Sequence, residues 1–199
     1  MLNAKFRSAL ALLVFLALAG CSPKSATEMA IKASETSYNA VKGQIESVMP
    51  AEAKSIEDTI AQARADMDKG DYKAAVDGVK DVPKRIEELT AQAAQKKAEL
   101  ETSWGELAAA VPTGVAALEG GVEKVATMKK LPKGIETTSV ETAKTALENA
   151  KKAWSDAETA QGSGKLYEAV AKAGEAKQAV QEGMTALNLP MPSTLTASQ

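Results

Sequence analysis

The 199 residues include one cysteine, Cys21, and no histidine. A thiol is intrinsically nucleophilic, but without an imidazole to activate it neither a Cys-His nor a Ser-His pair can be assembled. Zinc sites built on Cys and His lack their ligands for the same reason. Carboxylates are abundant, and a glycosidase-like mechanism needs two of them facing one another across a cleft. The densest groupings, Glu57-Asp58, Asp66 with Asp68, and Glu87-Glu88, stand among lysines at helical spacing, the pattern of a solvated helix face. No calcium-loop pattern occurs. Gly120-Gly121, Gly134 and Gly162-Ser163-Gly164 lack the lysine and spacing of a phosphate loop and read as turns or hinges. The sequence therefore singles out no catalytic residue, metal ligand or cofactor site. The residues left to explain are Cys21, Trp104 and Trp154.

Cys21 stands at the end of an ordered series of features. Lys5 and Arg7 are followed by the apolar run Ala9 to Ala19 and then Gly20, which is the layout of a secretory signal. The run is about half the ~20 apolar residues that a membrane-spanning helix requires. Its last four residues, Leu18-Ala19-Gly20-Cys21, resemble the lipobox of bacterial lipoproteins. The resemblance implies that residues 1–20 are a signal peptide cleaved between Gly20 and Cys21. It implies also that the Cys21 sulfur receives a diacylglyceryl group and that the freed amine is acylated. A lone thiol in an exported chain would otherwise be left unpaired. Two or more acyl chains give stable anchoring, each buried CH₂ contributing about 0.8 kcal/mol. The next residue is Ser22 and not aspartate, so in a two-membrane host the resemblance implies the periplasmic face of the outer membrane.

Of 24 Lys and Arg, only Lys5 and Arg7 lie in residues 1–20, which leaves 22 basic against 26 acidic groups in the mature chain, a net charge of about −4. Mixed signs without a basic patch argue against nucleic acid as a partner. Aromatics make up only 4% of the chain. Its buried seams must therefore rest largely on Ala, Val, Leu, Ile and Met, which favours thin bundles over a deep core.

Strong helix formers and a period near 3.6 run through the mature chain, and no stretch of four or more residues alternates as a half-buried strand does. The expected class is all-α: an elongated antiparallel bundle of about five to six helices over residues 25–188, after a short tether at residues 21–24. A first helix is expected from Ser25, where Ser25 and Glu28 form a capping-box pattern, and a second from Pro50 to Gly70. Asp71 can cap a third, which Pro83 is expected to kink before Trp104, and Pro112 is expected to interrupt the chain again. Val115, Leu118, Val122 and Val125 form a brief coiled-coil-like stripe. Leu131-Pro132-Lys133-Gly134 is the clearest break. Thr138 and Glu141 then supply a second capping-box pattern, Gly162-Ser163-Gly164 a turn, and residues 189–199 a tail expected to be disordered.

Shifting the chain by 94 residues superposes Ile60 on Trp154, Ala63 on Ala157, Gly70 on Gly164, Ala75 on Ala169, Val76 on Val170 and Ile86 on Val180. This weak repeat predicts two related hairpins, at about residues 51–90 and 140–187, joined by connecting helices over 91–131. The turn Gly70-Asp71-Tyr72-Lys73-Ala74-Ala75 is similar to that of tetratricopeptide hairpins, and Gly164 to Ala169 is a looser version. A tandem array with the 34-residue period of that family is absent.

An anchor joined to long helices without a reactive constellation points to a non-enzymatic scaffold or interaction module of the cell envelope. Its expected partners are the membrane, through lipid on Cys21, and an envelope protein or peptidoglycan-associated component. Two alternatives stay open, a small-ligand or peptide receptor and a carboxylate-dependent envelope hydrolase. Trp104, in the connecting region, is the candidate partner contact. Trp154 takes the repeat position of Ile60 and is expected to pack.

Overall fold

A computed structural model describes residues 22–196, so Gly20, Cys21 and the last three residues lie outside the described part of the chain. The described residues are helical, without strands. The elements are α1 (Pro23–Val48), α2 (Pro50–Asp68), α3 (Tyr72–Val79), α4 (Val82–Ala126), α5 (Thr137–Gly162), α6 (Leu166–Ala186) and a single turn, α7 (Ser193–Thr196). The described residues form two compact units, residues 22–45 with 51–91, and residues 46–50 with 92–196.

In the first unit the long apolar residues of four helix segments face inward. Ile31, Tyr38 and Ile45 of α1, Ile56 and Ile60 of α2, Val79 of α3, and Ile86 and Leu89 of α4 are all buried. Each buried Ile or Leu contributes about 1.5–3 kcal/mol. Polar contacts fix the register. The Tyr38 hydroxyl donates to the Ala53 carbonyl at 3.1 Å, Arg85 Nη2 donates to Ser55 Oγ at 3.0 Å, and Gln44 Nε2 donates to the Thr90 carbonyl at 3.4 Å. Two hydroxyls of α1 are buried as well, and each is satisfied within the helix: Thr27 donates to the Pro23 carbonyl and Ser34 to that of Ala30.

The second unit is built mainly on alanine and valine. Ala143, Ala146, Ala150, Ala157 and Ala160 of α5 and Ala169, Ala173 and Ala176 of α6 are buried. The two helices form a hairpin. At each alanine position the burial is smaller than for leucine by about 0.8 kcal/mol per missing CH₂, and dispersion from close helix approach offsets part of that deficit. The stripe Val115, Leu118, Val122 and Val125 joins this core. Gly183 lets α6 come close: a Cβ there would lie 2.6 Å from Leu118 Cδ2 and 3.1 Å from Ala146 Cβ.

The 94-residue offset also relates the two turns. After α2, the Gly70 N–H donates to Met67 and the Asp71 N–H to Asp66. After α5, the Gly164 N–H donates to Gln161 and the Lys165 N–H to Ala160. Gly70 and Gly164 have φ of 84° and 75°, the left-handed conformation in which glycine ends a helix without Cβ strain. The end of α6 repeats the pattern with Asn188, at φ 49°, its N–H donating to Thr185 and that of Leu189 to Met184.

Four expectations are corrected. Helix α1 begins at Pro23, two residues before Ser25, because Ser22 caps it: the Ala26 N–H donates to the Ser22 carbonyl at 3.1 Å and the Ser25 N–H to Ser22 Oγ at 3.3 Å. No side chain caps α5, whose N-cap is Glu136, so the Thr138-Glu141 box does not form. Pro112 does not interrupt: α4 runs through it. The missing donor costs roughly 3 kcal/mol, and the neighbours Ala110, Val111 and Leu118 remain buried, which holds the helix together. The tail packs up to α7. Leu195 is 1% exposed, its carbonyl accepts from Gln181 Nε2 at 3.0 Å, and Leu195 and Leu189 fill the spaces left by Gly114 and Gly121. At Pro83 the result is intermediate between a kink and a break. The helical ladder pauses at Lys80 and Asp81, although the Lys80 N–H still reaches Val76.

Candidate functional site

Of the sequence-predicted site residues, Gly20 and Cys21 lie outside the described residues. The described residues begin immediately after Cys21. Ser22 is the cap of α1 and Pro23 its first helical residue, a position where proline's missing N–H and fixed φ fit.

Trp104 does not stand alone. It stacks on Trp154 with ring centroids 5.6 Å apart and planes within 5° of parallel, an offset arrangement worth about 0.5–1.5 kcal/mol beyond burial. Both rings are half-buried, and one face of each is taken by the other. The signal that could have paired them is a seven-residue series, since Trp104, Val111, Leu118 and Val125 recur at one helix position. A break expected at Pro112 hides that register. With α4 continuous, Trp104 falls on the stripe that meets α5.

The acidic groupings separate into surface pairs. Asp58 pairs with Lys54 at 2.8 Å, Asp66 with Lys69 at 3.3 Å and Glu88 with Lys84 at 3.6 Å. Glu57 pairs with Lys42 at 2.6 Å. The Lys42 ammonium, helped by the Tyr38 hydroxyl, holds the Glu57 carboxyl below its ordinary value. Arg64 binds Glu35 through two nitrogens, with Nη2 to Oε2 at 2.6 Å, and this fork lowers the Glu35 pKa. The Gln62 amide, with Lys69, lowers Asp66, and Lys73 lowers Asp77. In the second unit Lys151 pairs with Glu119, and Glu175 raises Lys172. Each of these shifts comes mainly from a hydrogen-bonded neighbour, and none from burial of the charge.

A depression of about 270 Å³ lies between α1 and α2, lined by Glu28, Ile31, Lys32, Glu35, Arg64 and Met67. It is smaller than the roughly 300–1,000 Å³ of ligand pockets, and its principal charges, Arg64 and Glu35, already neutralise one another. Among the described residues no group of His, Cys, Asp and Glu could hold a metal ion. Among the described residues no buried side-chain N or O atom lacks a hydrogen-bond partner, and no helix is long and apolar enough to cross a membrane.

Comparison of the chain with protein-family models, curated proteins and solved structures finds no match.

Proposed function

We propose that this chain is a lipid-anchored helical module of a bacterial cell envelope, a scaffold or protein-interaction element held by acylated Cys21 on the periplasmic face of the outer membrane. The observation that carries the reading is the ordered series of Lys5 and Arg7, the apolar run and Leu18-Ala19-Gly20-Cys21, ending on the chain's one thiol. The described helices add support, because their ionic and aromatic side chains pair with one another: Arg64 with Glu35, Lys42 with Glu57, Trp104 with Trp154. Such pairs rigidify a bundle.

The test is metabolic labelling with an alkyne-bearing fatty acid. The wild-type chain should take up label and partition with membranes, and Cys21→Ser should lose both. Equal label or unchanged membrane retention in Cys21→Ser would end this reading. Crosslinking in intact cells then identifies the protein or wall component that the helices contact.

A further inference from the structure

We propose that the protein is mounted on its membrane without a flexible tether, so that the Ser22 end of α1 and the Gly70 turn beside it form a surface held against the lipid headgroups. This rests on the lipid anchor at Cys21 proposed above and adds the geometry of attachment. Only Ser22 separates Cys21 from the first residue of α1, and Ser22 is itself engaged through its carbonyl and its hydroxyl in capping that helix. Two Cα steps of about 3.8 Å put Pro23 within about 8 Å of the lipid-bearing residue. The polar layer of one leaflet is about 5–7 Å thick. The first turn of α1 therefore begins in the headgroup layer or at its edge.

The first turn is also tied into the unit. Thr27, 1% exposed, donates to the Pro23 carbonyl at 2.8 Å and reaches the Tyr72 carbonyl at the start of α3 at 3.5 Å. The chain just before Tyr72 is the Gly70 turn, so that turn stands beside the attachment point. Lys69 and Lys73, which flank it, are neutralised by Asp66 and Asp77. Lys24 in the first turn of α1 is more than matched in number by Asp68 and Asp71 beside Gly70, so the surface carries no basic excess, and the covalent anchor, rather than attraction to anionic lipid, brings it to the leaflet. The occupant is the leaflet into which the protein's own acyl chains insert, whether its headgroups are zwitterionic or anionic.

The experiment uses the mature lipidated protein in phosphatidylcholine vesicles containing a headgroup spin-labelled lipid. Met29, 59% exposed on α1, lies about 9 Å along the axis from Pro23. Met29→Cys gives a labelling site free of competition, because Cys21 is the chain's only other cysteine and its sulfur is occupied by lipid. The comparison variant carries a Gly-Ser segment of about 15 residues after Ser22, ending in Ser to keep a cap before Pro23; its r.m.s. reach is roughly 20 Å. A fluorophore at Met29→Cys should be quenched at least about twofold more in the natural mount than in the extended one, a ratio expected from the difference in reach. Protein that floats with the vesicles but is quenched equally in both forms overturns the mount and leaves the anchor intact. Protein that does not float overturns the anchor, and the mount with it.

Discussion

The hairpins α2–α3 and α5–α6 share a turn and differ in what they bury behind it. Both turns close on a left-handed glycine with the same pair of backbone hydrogen bonds, and both have buried alanines at equivalent positions on either side, Ala63 with Ala75 and Ala157 with Ala169. Farther out, where the equivalences run on past α3 into the start of α4, they diverge. Ile56 faces Ala150 in the comparison, Val79 faces Ala173, Val82 faces Ala176 and Leu89 faces Gly183. The first hairpin gains from large side chains packed against α1, and the second from helices that approach closely. One turn geometry thus serves two core designs, because it fixes only the start of each helix pair.

The sharpest way to break this comparison is to exchange the most divergent pair. Gly183→Leu imports the equivalent residue of the first unit, Leu89 of α4, into a position where even a Cβ meets Leu118 at 2.6 Å, and overpacking should cost about 3 kcal/mol. Leu89→Ala, the reverse direction, should cost about 2–4 kcal/mol through a cavity. Urea unfolding followed by circular dichroism measures both, and a neutral Gly183→Leu would show that close approach is not what holds the second hairpin.

The turns should respond alike. Gly70→Ala and Gly164→Ala meet no atom within 4 Å, so only left-handed strain opposes them, at about 1–2 kcal/mol each. Unequal losses in the same unfolding assay would mean the turns are less equivalent than their hydrogen bonds indicate.

Capping separates them by a smaller amount. Asp71 accepts from the Ala74 N–H at 3.0 Å, whereas Lys165 makes no side-chain cap. Asp71→Ala should cost about 1 kcal/mol, and Lys165→Asp should stabilise by up to a similar amount, both read as shifts in thermal midpoint.

Acid gives the smallest difference, because the pairs are exposed and screened. Glu35, Glu57, Asp66 and Asp77, all in the first unit, have lowered pKa values. Their stabilisation is complete above the ordinary carboxylate values of 4.5 and 3.8 and is lost as pH falls through the lowered ones. The shift found in the second unit is a raised Lys172, whose contribution is present at neutral pH and fades above 10.5. Hydrogen exchange below pH 4 should therefore quicken in α1 and α2 relative to α5 and α6. A uniform response would remove electrostatics from the comparison.

The all-α class, the Gly70 and Gly164 turns and the break at Leu131 to Gly134 were readable because each depends on local chemistry: periodicity, left-handed glycine, proline. What was not readable depends on residues distant in sequence. Pro112 looks like a stop until the buried residues around it are known. The Pro-rich tail looks like a disordered end until Gly114 and Gly121 are seen to leave room for Leu195 and Leu189. Ser22 is masked as a cap by the fuller motif that Ser25 and Glu28 offer nearby, though Pro23 suits the first helical position. As to the site, Cys21 stands out through its neighbours in sequence but lies outside the described residues, and the sequence presents Trp104 singly. Its pairing with Trp154 required α4 to be one helix.

That pairing has a practical consequence. The chain's two indoles are one object, so its entire tryptophan emission reports from a single junction between α4 and α5. Intrinsic fluorescence is therefore a local gauge of whether those helices are closed on one another, and it should report any ligand, wall fragment or protein that pries them apart without an added dye.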